Sequence, residues 1–180
     1  MYIYEPSDDS YLLADVLKRI KCRRFLDMGC GTGLQANSIL SADEIVCADI
    51  NKDAVDYAKE NVKRNDIKKA SFIVSDLFSN VEGKFDLIAF NTPYLDAGEP
   101  RDVSWTHMQN GRDVIERFIR DAREHLEDNG RILMLISDRG YEKYRRIAEE
   151  SGYTWEVVAE KNLFFEKIFV IQLKKVNGCA

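Results

Sequence analysis

The sequence predicts a doubly wound α/β domain, and three observations predict it. Short apolar runs ended by turn residues alternate with helical patterns from residue 23 to residue 152. The first run closes in a glycine-rich turn, Asp27-Met28-Gly29-Cys30-Gly31-Thr32-Gly33. The last two strand-like runs follow one another with no helix between them, as in a hairpin. Five parallel strands with intervening helices and a closing antiparallel hairpin make a seven-stranded, mainly parallel sheet with helices on both faces.

The elements follow in order. In MYIYEPSDDS, Ser7 or Asp8 can cap a helix that starts near Asp8, and acids in its first turn suit the helix dipole. The same stretch can instead belong to a ligand site. Buried strands are predicted at 23–29, 44–50, 70–77, 84–91 and 131–137. A helix over 52–65 gathers Val55, Ala58 and Val62 on one face. Another over 113–130 gathers Val114, Ile115, Phe118, Ile119, Ala122 and Leu126 and stops at Gly130. A third, from Tyr141, stops at Gly152. Runs 154–160 and 167–175 form the hairpin, with Phe164 and Phe165 assigned to its core. The polar stretch 104–113 reads as a lid, His107 as a solvated loop residue, and Arg101 and Arg112 as partners of nearby acids.

A length of 180 residues favours one domain over 1–180. At this size roughly 70% of the unfolded chain's surface can be buried. A net charge of −5 argues against a protein built around nucleic acid, which favours a basic face. No apolar run is long enough to span a bilayer, and no signal peptide is evident, so a cytoplasmic protein is expected. Cys22, Cys30, Cys47 and Cys179 contain no CxxC pair, and His107 and His125 lie elsewhere. No metal site is therefore expected. Cys30 and Cys47 read as free thiols in the core.

The glycine loop departs from the GxGxxG dinucleotide pattern, because its third glycine comes one residue early and Leu34 follows. Asp27 precedes the loop, Asp49 ends the second strand and Asp76 ends the third. Three acids on the carboxyl edge would surround one nucleoside, Asp49 being where a carboxylate takes a ribose diol. The alternative is that each merely caps the helix that follows. Strand four ends in Asn91-Thr92-Pro93-Tyr94. This tetrapeptide suits a planar NH2 group, whose conjugated lone pair attacks poorly. The Asn91 oxygen accepts one N–H, a backbone carbonyl held by Pro93 accepts the other, and Tyr94 stacks on the plane. Holding that nitrogen in line with an electrophilic methyl can supply ~7–11 kcal/mol of the barrier. The alternative is a strand-to-loop turn with Pro93 and Tyr94 packed for structure alone.

The chain resembles the class I S-adenosylmethionine-dependent methyltransferases, with their Rossmann-like sheet. More narrowly it resembles the archaeal and eukaryotic release factor glutamine methyltransferases of the HemK-like family. YEPSDDSYLL, DMGCGTG, ADIN, SDLF, NTPY, NGRD and FFEK carry the resemblance along nearly the whole chain. It implies cofactor contacts at Ser10, Asp27, Gly29, Gly31, Gly33, Asp49, Asp76, Leu77 and Asn91, and catalytic roles for Asn91, Pro93 and Tyr94. Thr92 stands where the family has a first proline, which would loosen the loop slightly. The resemblance matches Glu166 to the family without giving it a mechanism. It implies an N-methyltransferase acting on the glutamine of the Gly-Gly-Gln loop in a class 1 release factor. It also implies a small zinc-binding activator, similar to the Trm112 proteins, added beside the third strand around 72–74. Bacterial relatives carry an N-terminal recognition domain for which this chain has no room. Adenine-N6 methylation of DNA or RNA uses the same tetrapeptide and is the alternative; a cofactor-binding scaffold without activity is a further one.

Overall fold

The computed structural model describes residues 5–62, 69–94, 108–109 and 112–176. Its main sheet comprises β1 (Lys21–Met28), β2 (Ser41–Asp49), β3 (Lys69–Val74), β4 (Phe85–Asn91), β5 (Leu126–Ser137), β6 (Tyr153–Asn162) and β7 (Lys167–Lys175). The order across the sheet is β3-β2-β1-β4-β5-β7-β6. The first five run parallel, while β7 is antiparallel to both β5 and β6. The chain winds outward in both directions from β1. The carboxyl ends of β1 and β4 therefore flank the switch point where open α/β sheets place their ligands.

Alternation along the strands feeds two cores. Leu26, Met28, Ile88, Phe90, Ile132 and Met134 face one side, under α4 (Val114–Asp121) and α5 (Tyr141–Glu150). Phe25, Ile45, Leu87, Leu133 and Val170 face the other, under α1 (Asp8–Leu17), α2 (Leu34–Ser38) and α3 (Lys52–Asn61). Helices thus cover both faces, as predicted. Phe118 from α4 meets Phe90 at 4.7 Å and Phe78 at 5.5 Å between ring centroids, which seats α4 over the end of β4.

Several boundaries differ from the sequence reading. The helix expected over 113–130 stops at Asp121, and Leu126 already pairs with Phe85 in the sheet. Gly130 is not a helix stop. It lies in β5 where the pairing with β4 shifts register, and a Cβ there would stand 2.9 Å from the Phe85 carbonyl oxygen. The glycine permits that close backbone approach. The third strand ends at Val74; the Ser75 amide still reaches the Asp49 carbonyl of β2 at 2.8 Å before the chain turns away. Gly152 does end α5, with φ +76°. Cys30 and Cys47 are buried free thiols, as expected, and Cys22 is partly buried. Phe164 and Phe165 are not core residues: they are 93% and 86% exposed at the tip of the hairpin.

Of the expected lid, residues 108–109 and 112–113 form a two-residue antiparallel ladder. Asp113 caps α4 by accepting the Glu116 amide at 3.0 Å. Its carboxylate also takes Lys143, and these contacts outweigh burial to hold it below its ordinary pKa. His107 and Arg101 lie outside the described residues.

Candidate functional site

One cleft opens along the carboxyl edge of β1, β2 and β4, roofed by the start of α1. Strand β1 stops at Met28 because three glycines follow in left-handed or near left-handed backbone: Gly29 at φ +64°, Gly31 at +49° and Gly33 at +78°. Gly29 and Gly31 line the cleft, and the Gly31 amide donates to Asp49 Oδ2 at 3.0 Å. Asp49 Oδ1 accepts the Asn51 amide at 2.9 Å. Each oxygen keeps a further lone pair for a ligand. Burial pushes the Asp49 carboxyl above its ordinary pKa, against those amide hydrogen bonds.

Asp27 and Gly33, both expected at the cofactor, do not line the cleft. Asp27 is fully buried behind the loop, where Oδ2 accepts the Ala36 amide at 3.0 Å and so ties α2 to β1. Its Oδ1 is buried with no partner among the described residues, and burial raises its pKa well above the usual range. A Cβ at Gly33 would lie 2.6 Å from Val62 Cγ2, so this glycine lets the loop press against the end of α3.

Asp76 and Leu77 line the far side. Asp76 is exposed and held by Arg117 from α4 at 2.9 Å. Leu77 has φ +49°, and no other non-glycine among the described residues has positive φ. A left-handed residue of this kind costs roughly 1–2 kcal/mol. The Ser75 hydroxyl pins the turn by donating to the Leu77 carbonyl at 2.7 Å.

The tetrapeptide at the end of β4 forms the opposite wall. Asn91 Nδ2 donates to Ser10 Oγ at 3.0 Å and to Asp9 Oδ2 at 3.4 Å. These bonds fix the amide plane and leave Asn91 Oδ1 buried with no partner among the described residues. The Thr92 carbonyl accepts the Tyr94 amide at 2.9 Å, a tight turn about Pro93, and retains a second lone pair. The Tyr94 hydroxyl reaches Asp9 Oδ2 at 3.4 Å.

The opening acids divide their labour. Asp8 faces outward to Lys161 at 3.0 Å. Asp9 is 4% exposed and turns into the site, where its Oδ1 accepts the Ser10 amide at 2.6 Å and the Ser7 hydroxyl at 2.7 Å. Of the two expected caps, Ser7 occupies the position, without a side-chain cap bond, and Asp8 does not; Asp9 lines the cleft. Ser10 does line the cleft, whereas Glu5 is exposed.

Thr92 is the other residue misjudged from sequence. Its side chain is buried, and its hydroxyl donates to the Leu135 carbonyl at 2.5 Å, fastening the loop to β5. Replacing Thr92 by Val keeps the shape and leaves that carbonyl unpaired, which costs about 1–3 kcal/mol. Thr92→Val is expected to lower the denaturation midpoint and kcat together. Thr92→Ser, which keeps the hydroxyl, is expected to retain most of both.

A family model described as the methyltransferase small domain matches residues 5–168. The chain belongs to that family. A Methanocaldococcus jannaschii protein, provisionally named a protein N5-glutamine methyltransferase, is 37% identical over 94% of this chain and 90% of its own length. The release factor glutamine methyltransferase of Haemophilus influenzae is 32% identical over 75% of this chain, which corresponds to 52% of that longer protein. Among solved structures, the E. cuniculi Mtq2–Trm112 complex, responsible for methylation of the eRF1 termination factor, aligns with a TM-score of 0.74. The alignment covers 97% of this chain and 99% of that one at 23% identity, a likeness of fold.

Proposed function

We propose that this methyltransferase modifies the side-chain amide nitrogen of a protein glutamine, that of the Gly-Gly-Gln loop in a class 1 release factor. One observation carries the reading: Asn91 Oδ1 is a buried acceptor without a partner among the described residues, next to a Thr92 carbonyl with a lone pair to spare. Two fixed acceptors match the two N–H groups of a primary amide. Leaving a buried acceptor unpaired costs about 1–3 kcal/mol, which a bound amide recovers.

S-adenosylmethionine is the methyl donor, and when bound it supplies an electrophilic methyl on a sulfonium. The residues present fit it: a glycine loop that leaves backbone open to the cleft, and Asp49 with lone pairs for a diol. Ser10, Gly29, Gly31, Asp49, Asp76, Leu77 and Asn91 would hold it. Asp27 and Gly33 support the loop from behind. Asn91 and Thr92 orient the acceptor nitrogen, and Tyr94 lies against its plane. Asp9 adds a carboxylate beside Asn91, so charge developing on the nitrogen meets negative potential.

The adenine reading uses the same acceptors. The chain's net charge of −5 favours protein, because excess negative charge repels a phosphate backbone. Strand β3 is a sheet edge with Val74 43% exposed, which suits strand addition by a small zinc-binding activator. Among the described residues no helix is long and apolar enough to cross a membrane, and we place the protein in the cytoplasm with its release factor. The test is label transfer from S-adenosylmethionine to a release factor, with and without the activator. Transfer is expected to require the Gly-Gly-Gln glutamine. Label that persists after its replacement would sink the reading.

A further inference from the structure

The β6–β7 hairpin ends in an apolar tip that the fold does not use. Leu163 donates its amide to the Glu166 carbonyl at 2.8 Å, which closes a two-residue turn of Phe164 and Phe165. Their rings lean edge-on against each other at 4.7 Å, and both are largely exposed. Turn chemistry does not explain them. Two-residue hairpins favour Asn, Asp and Gly, and neither phenylalanine has a positive φ. Two exposed rings forgo the burial that stabilises such side chains elsewhere.

The tip is placed by the sheet. Asn91 pairs with Leu135 on β5, and two residues further along, Ser137 pairs with Ile168 on β7. The turn at 164–165 therefore projects beyond the same carboxyl edge that carries Asn91. Its stem is fixed there. Lys161 bonds Asp8 at the start of α1, Lys167 bonds Glu160 at 2.7 Å, and Leu163 packs on the core beneath α1. Glu166 lies within electrostatic reach of Asp9, Asp138 and Arg139. A rigid stem thus holds two bare rings beside the mouth of the cleft.

We infer that Phe164 and Phe165 form a docking surface for the polypeptide that flanks the acceptor glutamine. The inference rests on the glutamine reading above. A glutamine side chain can enter the cleft only if its backbone lies across the rim, and the hairpin tip projects beyond the sheet edge that carries the rim. Two phenylalanine rings offer roughly 300–500 Å² to such a partner. The chain's net charge of −5 disfavours the other ligand that stacks on exposed rings, a nucleic-acid base with its phosphates.

The test compares the wild type with the Phe164→Ser/Phe165→Ser variant, each with activator, using intact release factor as substrate. The double variant is expected to raise KM for the release factor about tenfold. Its kcat, its thermal midpoint and its calorimetric affinity for S-adenosylmethionine should be unchanged, because the rings touch neither core nor cleft. Phe164→Tyr/Phe165→Tyr should restore KM. An unchanged KM in the serine variant, with normal wild-type turnover, overturns the docking surface alone. A wild type that transfers no methyl to glutamine overturns the functional reading and the docking with it. A KM effect seen only with an adenine-containing RNA assigns the rings to base stacking and overturns the proposal.

Discussion

Asn91→Ala is expected to lower kcat by about 10²–10³, the cost of removing one oriented polar partner of the reacting group. The substitution removes the buried Oδ1 acceptor and also the amide that bridges Ser10 and Asp9. Asn91 ends β4, and its backbone pairing with Leu135 survives the change, so the sheet should persist. Asn91→Asp is the sharper probe. It keeps an acceptor but replaces the donor beside Asp9 Oδ2, now 3.4 Å away, with a second carboxyl. Two carboxylates at that range do not both ionise readily. Activity of Asn91→Asp should therefore depend on pH in a range where the wild type is flat. Steady-state kinetics across pH, with circular dichroism as the fold control, checks both variants.

Gly33→Ala is expected to cost the most stability of any glycine in the loop. Its φ of +78° disfavours a side chain by roughly 1–2 kcal/mol. The new Cβ would also stand 2.6 Å from Val62 Cγ2 and 3.5 Å from the Ala58 Cα. Overpacking of this kind adds about 1–3 kcal/mol. A double-mutant cycle separates the two parts. Adding Val62→Ala should relieve the packing part and leave the backbone part, as read from urea unfolding. Gly33 does not line the cleft, so the surviving folded fraction should bind S-adenosylmethionine with near wild-type affinity. Weakened binding by a fully folded Gly33→Ala would assign this glycine to the cofactor instead.

The sheet was legible because each strand is a short apolar run whose alternate residues feed two cores, as Leu87 and Ile88 do on opposite faces of β4. The glycine loop and the tetrapeptide were legible because backbone freedom and amide geometry demand particular residue types. What was not legible depends on distant partners. The helix over 113–130 looked continuous because nothing local says that Leu126 will pair with Phe85. Phe164 and Phe165 sit in an apolar context, and only the hairpin register shows that they form its tip. Asp9 reads as one more acid in the first turn of α1, and only the packing of α1 over the end of β4 brings it to Asn91 and Tyr94. Thr92 looked like a lost proline, because its compensating bond to Leu135 spans 43 residues.

Asn91 and Thr92 are expected to present a glutamine amide for methylation. The most direct measurement is site-resolved mass spectrometry of release factor incubated with the enzyme, its activator and S-adenosylmethionine, run beside the Asn91→Ala variant. A single methyl is expected on the side-chain nitrogen of the Gly-Gly-Gln glutamine, absent with the variant. An unmodified glutamine, with the methyl found on adenine of an added RNA or DNA, would contradict it.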